Sequence, residues 1–217
     1  TAVVVREGVT VGGMAKGAGM LAPALATMLV VLTTDAVVDA RTADRVLRRA
    51  TSVTFDRIDS DGCMSTNDTV LLLASGASGI EPDEAVLADL VGAVCADLAR
   101  QLIGDAEGAS KDIEIVVEHA ATEAEAVDVA RAVSRSNLLK CAIHGEDPNW
   151  GRILSAVGTT SAAFEPSQVD VWINGIRVCR GGGVGDDRAL VDLSGRDVRI
   201  TVDLAAGDAQ ATIWTND

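Results

Sequence analysis

The sequence predicts an α/β protein whose C-terminal part is a smaller α+β assembly. Three observations carry this. Two continuous apolar runs, Met28 to Thr33 and Val70 to Ala74, have the pattern of strands buried on both faces. Between the second run and residue 104 lies a long stretch with apolar residues at three-and-four spacing, the mark of an amphipathic helix. Beyond Lys111 the texture changes to short alternating strands, as in DIEIVVEH, DVRITVDL and AQATIWT, which places a soft boundary near residue 110.

Taken in order, Val3 to Val5 and Val9 to Val11 flank a Glu7-Gly8 turn signal and predict a short hairpin. Gly12, Gly13, Gly17 and Gly19 then predict a loop, and the first apolar run follows. A helix is predicted from Thr42, with Val46, Ala50, Val53 and Thr54 on one face and Arg45, Arg48 and Arg49 in water. A polar loop, Asp59 to Asn67, leads into the second run. The long helix opens with Pro82 in its first turn and Asp83 and Glu84 at the positive end of its dipole. Val86, Leu87, Leu90, Val91, Val94, Leu98 and Leu102 form its apolar face, and Gly104 closes it. Thr122 and Glu125 have capping-box spacing before a helix reaching Val133. Asn174-Gly175 joins VDVWI to IRVC as a hairpin, and Gly207-Asp208 marks a turn between the last two strands.

Composition narrows the function. At 217 residues and 48% hydrophobic content the chain buries a substantial core, yet only 2% is aromatic, so stacking on bases is not its business. Eighteen Lys and Arg stand against 32 Asp and Glu, a net charge of -14, and no basic run exists to neutralise phosphates; nucleic acid is not an expected partner. Cys63, Cys95, Cys141 and Cys179 lie far apart with no C-x-x-C, and only His119 and His144 are present. Neither zinc site nor disulfide framework is predicted, and reduced buried thiols are expected. No signal peptide or membrane-spanning run is seen, which predicts a cytoplasmic protein with no membrane partner.

Several motifs fail on spacing. Lys16-Gly17 reverses the Gly-Lys order of a P-loop. SGASG, Ser75 to Gly79, lacks the spacing of a nucleophile elbow and reads as a strand-ending turn. His119 closes an alternating strand and His144 sits by a glycine, positions of surface or packing histidines, and no Ser-His-Asp arrangement is assembled from the sequence.

Thr27 is left, at the junction in GMAKGAGMLAPALATMLVVL. Threonine is a good strand former, and from the residues alone a core strand beginning with Thr is the simpler account. At a free N-terminus, however, a threonine carries its own base, the α-amine, beside its hydroxyl. That requires a cut between Ala26 and Thr27. A small residue before the junction, a glycine-rich approach and a strand after it all suit such a cut.

GGMAKGAGMLAP-x-x-ATML, then FDRIDSDGCMSTNDT, DAEGASK and GEDPNWGR, resembles the glutamate N-acetyltransferase family, also called ornithine acetyltransferase, of arginine biosynthesis, from about Val11 to the end. The resemblance implies a layered sandwich of the N-terminal-nucleophile type and a precursor that cuts itself before Thr27. Residues 1–26 would then be the tail of an α chain, 27–110 the catalytic part of a β chain, and 111–217 its α+β part. It implies Thr27 as nucleophile, Lys16 and Glu107 as substrate-binding residues, no metal and no cofactor. N-acetylornithine, ornithine and glutamate are the implied substrates and products, and the remaining α chain the implied partner in an α2β2 assembly. The family's oxyanion-hole Thr-Gly pair and a C-terminal Asn and Ser have no counterpart in these 217 residues, so the chain alone is expected to be nearly inactive. Some members also use acetyl-CoA as donor, and related self-processed folds are amidases or aminopeptidases. Asn67, Asp68 and Asn149 are expected to shape the pocket or cap turns, and Arg152 to bind a carboxylate or form a structural ion pair.

Overall fold

The structure, a computed structural model, describes residues 1–17, 28–63 and 67–217. Ala26 and Thr27 lie outside the described residues, as do Met64, Ser65 and Thr66. The described residues form two compact units, Thr1–Glu107 and Gly108–Asp217, so the C-terminal part expected to be smaller is of similar length to the first.

In the first unit β1 (Ala2–Arg6) and β2 (Val9–Lys16) form an antiparallel hairpin. Its two-residue turn has φ of 52° at Glu7 and 78° at Gly8, the double positive φ that matches the twist of the flanking strands. β2 pairs antiparallel with β3 (Leu29–Thr34). β3 connects through α1 (Ala40–Ser52) to the parallel β4 (Thr69–Ala74), giving the order β1-β2-β3-β4. Then α2 (Glu84–Gly104) packs back on β1 and β2, beside α1. Leu87, Leu90, Val91, Val94, Leu98 and Leu102 are all buried on its core face. Each such side chain stabilises by roughly 1.5–3 kcal/mol. Pro82 precedes the N-cap Asp83 rather than entering the first turn.

Two expectations fail here. Gly12 and Gly13 are not loop residues; they lie inside β2, opposite Thr33 and Leu32. Glycine is required at Gly13 by crowding: a Cβ there would stand 2.6 Å from Leu32 Cδ2 and 3.1 Å from Leu98 Cδ1. Nor are β3 and β4 covered on both faces. In β3, Val30, Leu32 and Thr34 are buried while Leu29 and Val31 are exposed, and in β4 Leu71 and Leu73 are exposed.

The second unit is a six-stranded sheet of order β10-β5-β9-β6-β7-β8. It begins with β5 (Asp112–Ala120), followed by α3 (Glu123–Ser134), α4 (Asn137–His144) and α5 (Trp150–Val157). Then come β6 (Asp170–Ile173), β7 (Ile176–Arg180), β8 (Gly183–Val184), β9 (Asp197–Asp203) and β10 (Ala209–Asn216). Thr122 caps α3 by accepting the Glu125 amide at 3.2 Å, as its spacing predicts. Asn174 and Gly175 both take positive φ, at 47° and 83°, in the β6–β7 turn. Helix α3 lies on β5 and β10, and Ile115, Val129, Val133, Ile153, Ile173, Ile200 and Ile213 fill the core. The last two strands do not pair with each other, although a loop over residues 204–208 joins them: β5 inserts between them, parallel to β9 and antiparallel to β10. Of the four free cysteines Cys95 and Cys179 are buried but Cys63 and Cys141 are exposed, against expectation. Burial pushes the Cys95 thiol up to about 12. Among the described residues no helix is long and apolar enough to cross a membrane.

Candidate active site

Lys16 ends β2 and is exposed. Its pairing partner is Leu29, the second residue after Thr27 in the sequence. Between them, Met28 is buried and held through its backbone: its amide donates to Asp68 Oδ1 at 2.9 Å, and its carbonyl accepts from the Thr69 amide at 3.0 Å. The strand that follows Thr27 is thus anchored from its first described residue.

Glu107 follows α2, the helix that packs on β1 and β2. Helix α2 follows β2 lengthwise: Asp89 pairs with Arg6 beside the hairpin turn at 3.6 Å, Leu98 lies under Gly13, and Gln101 accepts from the Thr1 ammonium at 3.1 Å. Glu107 is exposed in the turn three residues past the helix end. Lys16 and Glu107 thus lie exposed at the end of β2 and just past α2, two elements that pack together.

The pairing register also sorts the faces. Val3 and Val5, Met14 and Lys16, Leu29 and Val31, and Leu71 and Leu73 share the face that α1 and α2 do not cover. Seven of these eight are large apolar residues exposed by 36% to 67%. A groove of about 510 Å³ lies on this face, lined by Val3, Gly12, Thr33, Asp35, Leu73 and Ser75, toward the end away from Lys16. An apolar surface of this extent is of the size that marks interaction sites on monomers.

In the second unit the structure joins Ser110, His144 and Asp217, a trio the sequence did not assemble. Asp217 Oδ2 meets His144 Nδ1 at 2.7 Å and accepts the Ser110 hydroxyl at 2.5 Å. Its Oδ1 accepts the Ser110 and Lys111 amides at 2.7 and 2.8 Å. Serine and aspartate crowd the same imidazole nitrogen, so no relay from Asp through His to Ser exists. This is a clasp. Burial opposes ionisation of Asp217, but the hydrogen bonds from Ser110, His144 and the backbone outweigh it and hold the carboxyl well below the usual carboxylate range. Beside the clasp, buried Lys111 donates to the Leu193 and Gly195 carbonyls and to Glu146.

Asn149, Arg152, His119 and the Ser75–Gly79 turn make local contacts. Asn149 caps α5 by accepting the Arg152 amide at 3.3 Å, and Arg152 gives its guanidinium to the Leu138 carbonyl at 2.5 Å. His119 pairs with Asp203 at 2.8 Å on the surface. The Ser75–Gly79 turn ties β4 to β3, with Ser78 Oγ donating to the Asp35 carbonyl at 2.7 Å. Among the described residues no group of His, Cys, Asp and Glu is placed to hold a metal.

The match that decides the family runs through both units, over residues 1–217. The chain belongs to the ArgJ family. It is 69% identical over 217 residues to the arginine biosynthesis bifunctional protein ArgJ of Streptomyces coelicolor, covering 100% of this chain and 57% of that protein. It is 65% identical over 211 residues to the ArgJ of Thermobifida fusca, covering 97% and 55%. The chain thus spans a little over half the length of the curated relatives it matches. The crystal structure of the arginine biosynthesis bifunctional protein argJ from Bacillus halodurans superposes with a TM-score of 0.80 at 35% identity, over 87% of this chain and 92% of that one. The layered α/β fold is the fold of that ArgJ structure.

Proposed function

We propose that this chain forms part of an acetyltransferase that moves an acetyl group from N-acetylornithine to glutamate, through an acetyl ester on Thr27 exposed by self-cleavage after Ala26. The observation that carries it is the ArgJ match over the whole chain, with the Ala26-Thr27 junction standing two residues before the Lys16–Leu29 pair. A second feature supports the cut: the solved ArgJ chain is matched over 92% of its length and the curated sequences over 57%, the pattern expected when a precursor is divided into two chains.

The chemistry closes without outside reagents. The Thr27 α-amine, with a reference pKa near 8, takes the hydroxyl proton as Oγ attacks the acetyl carbonyl. The C–N bond of N-acetylornithine breaks and ornithine leaves with that proton. The glutamate amine then attacks the ester carbonyl, and its proton returns to Thr27 Oγ as N-acetylglutamate departs. The Lys16 ammonium suits the α-carboxylate common to both substrates, and the Glu107 carboxylate suits the ornithine side-chain ammonium. Residues 1–26 are assigned to the α chain, 27–110 and 111–217 to the β chain. The uncovered sheet face supports docking of the remaining α-chain residues, in an α2β2 assembly in the cytoplasm. Since the matched relatives are named bifunctional, acetyl-CoA is a second candidate donor.

Denaturing mass spectrometry with N-terminal sequencing tests this first. A fragment beginning TMLVV, which then acquires an acetyl group from N-acetylornithine and loses it to glutamate, is the expected result. An uncut junction, or an acetyl adduct that water removes as fast as glutamate does, overturns it, the latter in favour of an amidase.

A further inference from the structure

Asp68 grips the backbone of the residue that follows Thr27. In the parallel β3–β4 ladder Leu29 pairs with Thr69, and the Thr69 amide donates to the Met28 carbonyl at 3.0 Å, an ordinary ladder bond. The bond on the other side of Met28 is not of that kind. Its amide, 40 residues away in sequence, donates to the side-chain Oδ1 of Asp68 at 2.9 Å, so a carboxylate stands where a ladder would offer a backbone carbonyl. Two consecutive residues, Asp68 and Thr69, thereby hold both backbone polar groups of one residue, and Met28 itself is buried, at 6% exposure.

We propose that Asp68 is a positioning residue for the nucleophile, an assignment that rests on the functional role given to Thr27 above. The peptide group is planar, so the direction of the Met28 N–H sets the plane that also contains the Cα of the preceding residue. A bond from that N–H to a carboxylate is shorter and stronger than one to a neutral acceptor. Asp68 thus fixes the peptide plane through which the strand joins the residue before Met28. It touches neither substrate nor the reacting atoms. What the amide needs is an oxygen at Oδ1, and asparagine supplies that oxygen without the charge.

The test uses the full polypeptide encoded by the gene, as wild type, Asp68→Ala and Asp68→Asn, with rates expressed per chain carrying a free N-terminal Thr. Asp68→Ala is expected to lower kcat for acetyl transfer about 100-fold, the loss that follows roughly 1 Å of misplacement, with KM within about 2-fold. Asp68→Asn is expected to recover kcat to within about 3-fold of wild type on the same basis of restored geometry. If Asp68→Ala is not cleaved at all, the cleavage rate is the quantity that Asp68→Asn must restore. Normal kcat per processed chain in Asp68→Ala, or an Asp68→Asn variant as impaired as the alanine, overturns the assignment. A wild type that neither cuts nor transfers acetyl groups instead removes the functional reading on which it rests, and the two failures are told apart by the wild-type measurement.

Discussion

Replacing Gly13 by alanine adds one methyl group where the first unit has no room for it. The new Cβ would lie 2.6 Å from Leu32 Cδ2, 3.1 Å from Leu98 Cδ1 and 3.2 Å from the Val31 carbonyl oxygen. Leu32 and Leu98 are 0% and 1% exposed, so neither side chain turns away into solvent, and the carbonyl belongs to the β2–β3 ladder. Overpacking of this kind costs about 1–3 kcal/mol, while removing glycine from the unfolded chain returns about 0.4–1 kcal/mol. The net expectation for Gly13→Ala is a loss of about 1.3 kcal/mol, the middle of a range of about 0–2.6, or about 5–10 °C in Tm for a unit of this size. Circular dichroism thermal melts read it directly. Combining Gly13→Ala with Leu32→Ala removes the nearest clashing atom, so the double variant should lose less than the two single losses added together. Equal or higher stability for Gly13→Ala, or strict additivity with Leu32→Ala, would refute the packing account and return Gly13 to an open loop.

Three further outcomes follow from features of both units. The ionised Asp217 stabilises the second unit above the ordinary carboxylate pKa, and because its folded value is depressed that contribution fades as pH falls from about 4 downward; Asp217→Asn loses acceptors for two donors, should cost about 2–4 kcal/mol at pH 7, and should flatten the acid limb in a pH series of urea melts. His119 has the opposite sign: its hydrogen bond to Asp203 raises its pKa, so its stabilising effect is complete below about pH 6.5 and is lost as pH rises through the folded value, and NMR titration should show the His119 midpoint fall in Asp203→Asn. On the uncovered sheet face, Leu71→Lys with Leu73→Lys should leave the melting of the isolated chain within about 0.5 kcal/mol per site, yet reduce its binding of an apolar dye and abolish association with the rest of an ArgJ polypeptide; a large loss of stability in the isolated chain would show the face is already covered.

Local signals were readable wherever one or two residues decide the geometry. Glu7-Gly8 and Asn174-Gly175 announced their turns because few pairs tolerate two positive φ values, and the α2 periodicity survived because all of its predicted apolar face except the half-buried Val86 is buried. Features that depend on distant partners were not readable. A glycine kept small by Leu98, 85 residues away, looks in sequence like any loop glycine. The runs in β3 and β4 had the composition of doubly buried strands, and one of their faces is open in this chain, so apolar content reported a tendency to be covered rather than the cover itself. Likewise Gly207-Asp208 marked the break between two strands but not its form: a loop over residues 204–208 crosses the end of β5, to which its amides bond, so which strand lies beside which is decided by a segment almost a hundred residues earlier than β10. At the site, Lys16 and Glu107 came only from motif resemblance, since an exposed lysine and an exposed glutamate carry no pattern of their own. Asp68 was visible as a turn-former, and its grip on Met28 needed the β3–β4 register to be seen.

The insertion of β5 between the two last strands orders events during synthesis. By Gly104 every strand and helix of the first unit has been made. The strand at Asp112–Ala120 must then wait for Asp197–Asn216 before either of its edges is paired. At roughly 5–20 residues per second that interval lasts about 4–20 s. Through that interval a nine-residue strand with Ile113, Ile115, Val116 and Val117 has neither of its sheet neighbours, the kind of unpaired apolar edge that invites pairing with another chain.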